Sequence, residues 1–188
     1  MTILSDIRKV RFSCPTLVLM AVIIGLIFSA NFLTDGLSAF IGETVYAVAA
    51  AFGVLLYFTF FVFFAIEKRI SKLKLALIAT VFVFLILRAW FVPKIDERLH
   101  LIEYNLLGWF VMHDASYEDL PRSKKMLFAI ATVFLFGASD EGIQALLPYR
   151  VGEISDVINN WIGGLSGVMM FMACPVTKED LFFWKIRR

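Results

Sequence analysis

The sequence predicts an all-α integral membrane protein of about six transmembrane helices, two of them short or interrupted by polar residues. Three observations carry that prediction. Of the 188 residues, 60% are hydrophobic and only 18% charged, and the mean hydropathy is +0.81. A chain of this size cannot hide so much apolar surface in one small core, which excludes an ordinary soluble enzyme, a disordered segment or a disulfide scaffold. The apolar residues fall in runs close to the ~20 needed to cross a bilayer as a helix. Finally, the basic residues gather in alternate loops.

Four runs are nearly continuous: Thr16–Leu33, Val45–Ile66, Leu75–Val92 and Val157–Cys174. Two more are unusual. Leu99–Met112 is short and carries His100, Glu103 and Tyr104, and Met126–Leu147 holds Asp140, Glu141 and Gln144 in its last third. Pro93, Pro121, Pro148 and Pro175 fall at the predicted helix ends, as expected of a residue that cannot continue a helix. Arg8, Lys9 and Arg11 before Thr16–Phe28 give the N-terminus the layout of a signal peptide. Cleavage before Asn31 would put bulky Phe28 where a small residue is needed, so the segment reads as an uncleaved first span. Residues 1–188 read as a single membrane domain.

Most of the 18 Lys and Arg fall on one side of the six spans. The N-terminal tail contributes Arg8, Lys9 and Arg11, and the second-to-third loop Lys68, Arg69, Lys72 and Lys74. The fourth-to-fifth loop adds Arg122, Lys124 and Lys125, and the C-terminus Lys178, Lys185, Arg187 and Arg188. Opposite them stand Lys94, Arg98 and Arg150. Both termini are therefore expected in the cytoplasm. That side also holds Cys14 and Cys174, where thiols stay reduced. A net charge of +2 is too small to argue for nucleic acid. Trp90 and Trp109 are expected at the interface, Phe58–Phe64 against lipid, and His113 in a solvated loop.

Three segments carry polar groups toward the opposite surface. In the first, Glu97, His100, Glu103 and Tyr104 share a helix face by their spacing. In the second, Glu141 and Gln144 do the same beside Asp140. In the third, Asp156, Asn160, Gly163 and Gly167 form one stripe after Arg150. Each has a plain structural reading. Gly163 and Gly167 form a small-residue motif that lets helices approach, Asp156 can cap a helix, and Arg150 can reach headgroups. Together, ionisable groups at membrane depth are costly unless paired or wet, and they imply an outward-opening polar pocket.

Arg150, Gln144, Asp156, Asn160, Tyr104 and Asp140 are then the substrate-binding candidates, with Glu141 and His100 as general acid or base. Acids beside a His could hold a divalent cation, which with Arg150 would suit a diphosphate. However, Glu97 and His100 supply only half of a di-iron spacing, so no metal set is assigned and no particular cofactor is implied. Ser139 and Ser155 are weak nucleophile candidates, and whether any reaction is catalysed stays open.

These residues resemble the VanZ-like family of polytopic membrane proteins, named after a teicoplanin-resistance determinant. Its motif runs approximately D-E-x-x-Q, P-G-R, then D-x-x-x-N-x-x-G-x-x-x-G. Asp140, Glu141, Gln144, Pro148, Arg150, Asp156, Asn160, Gly163 and Gly167 match it, and Asp96, His100 and Tyr104 echo an upstream motif. The likeness covers about residues 94–170. Glu97 stands where the family usually has Lys, and Tyr149 where it has Gly before Arg, which should make that turn less tight. The resemblance implies a multi-pass cell-envelope protein in the cytoplasmic (inner) membrane of a bacterium, from a glycopeptide-resistance family. One expectation is a pocket that binds, and possibly processes, a membrane lipid or a lipid-linked or phosphate-bearing envelope precursor. The alternative is a non-enzymatic accessory subunit of a larger assembly with another membrane protein. A proton-coupled transporter ranks last, because the acids cluster near one surface and no inverted repeat is visible.

Overall fold

The computed structural model describes the backbone of residues 11–92 and 95–176, with their side chains except at 95, 96 and a share of 29–54. Among the described residues there are six helices and no strand: α1 (Cys14–Ile41), α2 (Glu43–Glu67), α3 (Lys72–Trp90), α4 (Ile95–Ser116), α5 (Arg122–Gln144) and α6 (Ile154–Ala173). Each expected run lies in a helix of its own. The helix holding Leu99–Met112 is not short, however. Its polar ends are helical too, giving α4 22 residues. Nor is α5 broken at its polar third, which stays helical through Gln144. Of the basic residues that set the expected orientation, Arg8, Lys9, Lys94, Lys178, Lys185, Arg187 and Arg188 lie outside the described residues.

Local chemistry sets the joins. Gly42, with φ of 85°, turns α1 into α2 in a conformation open to a residue without Cβ. Arg69 takes the left-handed position (φ 49°) after α2. There the Ile70 N–H reaches the Ala65 carbonyl at 3.3 Å and the Arg69 N–H the Ile66 carbonyl at 2.9 Å, closing a Schellman turn. Ser71 caps α3 by accepting from the Lys74 N–H at 3.4 Å. Hydroxyls inside the apolar helices bond to the carbonyl one turn back, as Thr80 does to Ala76 at 2.9 Å and Thr132 to Phe128 at 2.9 Å.

The centre of the molecule is α6, packed most extensively on α4 and next on α5. Its glycines make this possible. A Cβ on Gly167 would lie 1.9 Å from the Asn105 carbonyl oxygen of α4, and one on Gly163 would lie 2.6 Å from that of Leu101. From the other side, a Cβ on Gly108 of α4 would meet the Gly164 oxygen at 2.0 Å. Backbone therefore packs on backbone along this seam. Gly164 in turn receives Val133 of α5. The stripe Gly163–Gly167 lets helices approach closely, as its spacing implies.

The apolar core continues through Leu101, Leu107, Val111, Val133 and Phe171. Trp109 belongs to this core and not to an interface. It is buried between Phe61, His113 and Phe171, because α4 extends a full turn beyond it, whereas Trp90 is 79% exposed. The Phe58–Phe64 stretch divides: Phe60 and Phe63 point outward, while Phe61 packs on Phe82 and Trp109.

His113 is not solvated surface either. It is fully buried, with its ring stacked on Trp109, Nδ1 3.3 Å from Asp114 and Nε2 3.2 Å from the Tyr117 hydroxyl. Asp114 accepts from the Ser13 N–H at 2.8 Å and the Thr16 hydroxyl at 2.6 Å, tying the start of α1 to the end of α4. Among the described residues two helices, α3 and α5, are long and apolar enough to cross a bilayer by length and composition, and shorter apolar stretches fill Cys14–Phe28 and Leu55–Glu67.

A Gly167→Ala substitution is expected to destabilise the purified chain by roughly 1–3 kcal/mol or more, because neither backbone can yield to the added methyl. Gly142, with nothing within 4 Å of its would-be Cβ, is the control. Gly142→Ala should be neutral or stabilising by up to about 1 kcal/mol. Thermal unfolding of the two variants side by side checks both.

Candidate functional site

The polar residues converge where α4 begins, α5 ends and α6 begins. A helix puts His100, Glu103 and Tyr104 of α4 on one face, and that face meets Asp140 of α5. The Tyr104 hydroxyl donates to Asp140 Oδ2 at 2.8 Å, with the tyrosine fully buried. His100 Nδ1 stands 3.5 Å from Glu103 Oε2 and 3.9 Å from Asp140 Oδ2. Asp140, Glu141 and Gln144 are all buried, so the end of α5 turns three polar side chains inward.

Gln144 joins the set. Its amide donates to Asp140 Oδ1 at 2.8 Å and to Glu141 Oε1 at 3.2 Å. Its carbonyl oxygen accepts from Arg150 Nε at 3.0 Å and Nη2 at 2.6 Å. A chain of hydrogen bonds thus runs from Tyr104 through Asp140 and Gln144 to the half-buried Arg150. A primary amide suits the middle of that chain, since it offers an acceptor to the cation and donors to the carboxylates.

The connection from α5 to α6 is held by the same groups. The Arg150 N–H bonds to the Leu147 carbonyl at 3.2 Å, closing a turn in which Tyr149 is exposed. Among the described non-glycine residues only Arg69 has positive φ, so the backbone at position 149 does not require glycine. Gly152 lies flat on the end of α5, where a Cβ would sit 2.5 Å from the Glu141 carbonyl oxygen. The Glu153 N–H then donates to Glu141 Oε2 at 3.2 Å. Neither Gly152 nor Glu153 stands out in the sequence, since their part is played by backbone.

Asp156 does not cap α6. Glu153 holds that position, and Asp156 sits in the first turn, where Asn159 donates to it at 3.4 Å. A carboxylate there still opposes the positive end of the helix dipole favourably. Asn160 is fully buried. It faces Gly137, whose would-be Cβ would lie 3.0 Å from Asn160 Cβ and 3.4 Å from the Tyr104 ring. Both Asn160 amide atoms lack a hydrogen-bond partner, as do His100 Nδ1, Glu103 Oε2 and Asn159 Oδ1.

A family model, VanZ/LLP1, matches residues 5–176. The chain belongs to the VanZ/LLP1 family. The match extends well beyond the 94–170 stretch where the motifs lie, and takes in α1 to α3 as well. No curated protein and no solved structure matches the chain.

The polar residues of the motif therefore lie at one end of the α4–α5–α6 core, while Gly163 and Gly167 run along its seam. All the sequence-derived candidates are at that end: Glu141, His100, Arg150, Gln144, Asp156, Asn160, Tyr104 and Asp140. Ser139 and Ser155 have no place in it, being exposed and bonded to the Leu135 carbonyl at 2.7 Å and to Glu153 at 3.2 Å. Asn159 and Glu103 belong with the site on position. Among the described residues, no three His, Cys, Asp or Glu side chains converge so as to hold a metal ion. The side chain of Asp96 is not among those described.

A double-mutant cycle between Tyr104→Phe and Asp140→Asn tests the central bond. A hydrogen bond to a buried carboxylate should give a coupling of roughly 1.5–3 kcal/mol in unfolding free energy. The same cycle between Ser139→Ala and Asp140→Asn should give none.

Proposed function

We propose that this VanZ/LLP1 protein is a multi-pass protein of the bacterial cytoplasmic membrane, with both termini in the cytoplasm. In this reading its polar site opens outward and binds the head of a lipid-linked or phosphate-bearing envelope precursor. Support for the membrane setting comes from the large apolar side chains left outside, such as Phe40, Leu73, Trp90 and Phe91, which a soluble protein would bury. The ends bearing Lys68, Lys72, Lys74, Arg122, Lys124 and Lys125 fall on the side away from the site. There α2 runs alongside α4, Phe61 against Trp109, and Lys125 donates to the Ser116 carbonyl at 2.9 Å.

The observation that carries the binding reading is the set of unpartnered buried atoms at this end of the α4–α5–α6 core: both amide atoms of Asn160, His100 Nδ1, Glu103 Oε2 and Asn159 Oδ1. Folding leaves buried polar atoms unsatisfied only at a cost of roughly 1–3 kcal/mol each, and such groups recur where a bound group completes them. In this reading Arg150, held by Gln144, presents its guanidinium to a phosphate or carboxylate. Asn160 and Tyr104 orient the head, Asp140 and Asp156 flank it, and Glu141 and His100 are the groups able to move a proton if a reaction follows.

A second reading has one observation in its favour. The bond chain Tyr104–Asp140–Gln144–Arg150 satisfies its members from within, as expected if the motif only builds a fold for an accessory subunit. Native mass spectrometry of the chain extracted gently from its own membrane separates the two. A co-isolated phosphate-bearing lipid, reduced at least about tenfold in Arg150→Gln, supports binding, since a charge-assisted contact is lost. A stoichiometric protein partner, with the lipid content unchanged, supports the accessory role.

Orientation is tested in cells after Cys14→Ser and Cys174→Ala remove the two free thiols. A thiol-specific, membrane-impermeant label should reach Tyr149→Cys in intact cells and Glu118→Cys only after permeabilisation.

A further inference from the structure

We propose that the opposite end of α4 is a covalent modification site, where the Tyr117 hydroxyl, with buried His113 as its base, accepts a phosphoryl group from a nucleoside triphosphate. The inference goes beyond the headgroup reading and shares with it only the placement of this end in the cytoplasm.

Three side chains stand in a row. Asp114 Oδ1 lies 3.3 Å from His113 Nδ1, and His113 Nε2 lies 3.2 Å from the Tyr117 hydroxyl. An ionised carboxylate offers only acceptors, so the ring carries its proton on Nδ1 and turns the Nε2 lone pair to the phenol. The Tyr117 O–H then donates to Nε2. Asp114 is fixed in its role from a second helix, since Oδ2 accepts the Ser13 N–H at 2.8 Å and the Thr16 hydroxyl at 2.6 Å. A hydroxyl bonded to a base that a third group orients is the arrangement that activates a nucleophile.

The row is held in place. His113 is fully buried and Asp114 nearly so. The imidazole stacks on Trp109 at 5.7 Å between centroids and meets Phe171 of α6 edge-on, and the Tyr117 ring packs edge-on against it at 5.0 Å. Behind them the Tyr117 N–H donates to the Asp114 carbonyl at 3.3 Å and the Ser116 hydroxyl to the His113 carbonyl at 2.6 Å. Lys125 of α5 holds the Ser116 carbonyl at 2.9 Å. Tyr117 itself, in the turn after α4, is 41% exposed, so a reagent from solvent can reach the phenol. Tying α1 to α4 takes only Ser13, Thr16 and Asp114. A buried base bonded to a surface hydroxyl is more than that tie uses.

The stability of the product selects the electrophile. A carboxylic ester of a phenol hydrolyses readily in water, whereas an aryl phosphate persists. In the step, the Tyr117 oxygen attacks the terminal phosphorus and the new O–P bond forms as the bond to the bridging oxygen breaks. The nucleoside diphosphate leaves with that electron pair, and the phenolic proton passes to His113 Nε2 and on to water. No oxidant or reductant is required.

The test begins with the full chain in detergent, where both faces are open, and an arylsulfonyl fluoride. This probe needs the same attack by a phenol and releases fluoride, and peptide mass spectrometry locates the adduct. At neutral pH, Tyr117 should react at least about tenfold faster than N-acetyltyrosinamide in the same tube, a modest share of what a positioned base supplies. Lowering the pH by about one unit toward neutrality should slow the small phenol roughly tenfold, with its ionised fraction, and Tyr117 less than about threefold. His113→Phe, which keeps an aromatic ring against Trp109, should return Tyr117 to the rate and slope of the small phenol. Arg11 and Cys14 by α1, Glu118 after α4, Lys125 of α5 and Cys174 after α6 also lie at this end. They are common to both chains, so the comparison isolates His113. The measurement on the unaltered chain decides even where the variant does not fold.

A Tyr117 rate and slope equal to those of the small phenol would overturn the site. The phosphoryl group is tested with magnesium and ATP labelled at the terminal phosphate, given to the purified chain alone and with extract of its own cells. Label on Tyr117 in the first assigns the transfer to the chain itself, and label only in the second assigns it to a transferase of the cell. No label on Tyr117 in either overturns the phosphoryl assignment. These results do not depend on lipid retention, so failure of the headgroup reading and failure of this one are told apart.

Discussion

The closest constraint in this protein is the contact of backbone with backbone between α4 and α6. Gly108, Gly163 and Gly167 remove the side chains that would hold the two helices apart, and the gaps they leave are filled by main-chain oxygens of the facing helix. Such a seam permits almost no rotation of either helix, because a turn of a few tens of degrees would drive a side chain into a carbonyl. The facing of everything else on α4 and α6 follows. His100 and Tyr104 are carried toward α5, and Asn160, one turn before Gly163, is carried inside. Gly164 receives Val133, so the same helix that meets α4 through its glycines also sets the depth at which α5 packs.

The two ends of α4 show what the seam supports. At one end His113 and Asp114 are buried, and each of their polar contacts is closed locally by Ser13, Thr16 or Tyr117. That end has the character of a latch for the first helix. At the other end the bonds from Tyr104 to Arg150 are also closed, yet Asn160, His100 and Glu103 keep atoms without partners in the same neighbourhood. Burial of polar groups is common to both ends; the second gathers five unpartnered atoms, whereas near the first the Trp109 Nε1, on the ring stacked on His113, is the one without a partner among the described residues. This difference, more than the presence of acids, is the physical basis for reading one end as a ligand site and the other as a closed latch.

Membership of the VanZ/LLP1 family and the cluster support one another from different directions. The motif supplies residue types at fixed intervals, and the fold shows why the intervals matter. Asp140 and Gln144 are one turn apart so that both point inward, and Gln144 and Arg150 are separated by a turn that brings the guanidinium back over the helix end.

Much of this was legible in the chain itself. Hydropathy located six helices, because an apolar run of the right length has little alternative to helix. Spacing of three and four residues identified which polar groups share a face, and the separation of Gly163 and Gly167 announced a close helix contact. The helical facing of α4 toward α5 was not legible. Nor was the burial of Trp109 and His113, expected at an interface and in a solvated loop until α4 proved to run on past them. Glu153 and Gly152 contribute through an amide N–H and a bare Cα, which no residue type reports. One-dimensional periodicity settles which side chains lie together on a helix. Which helix they face, and whether a buried atom finds a partner, depends on packing between segments distant in the chain, and only the tertiary structure decided it.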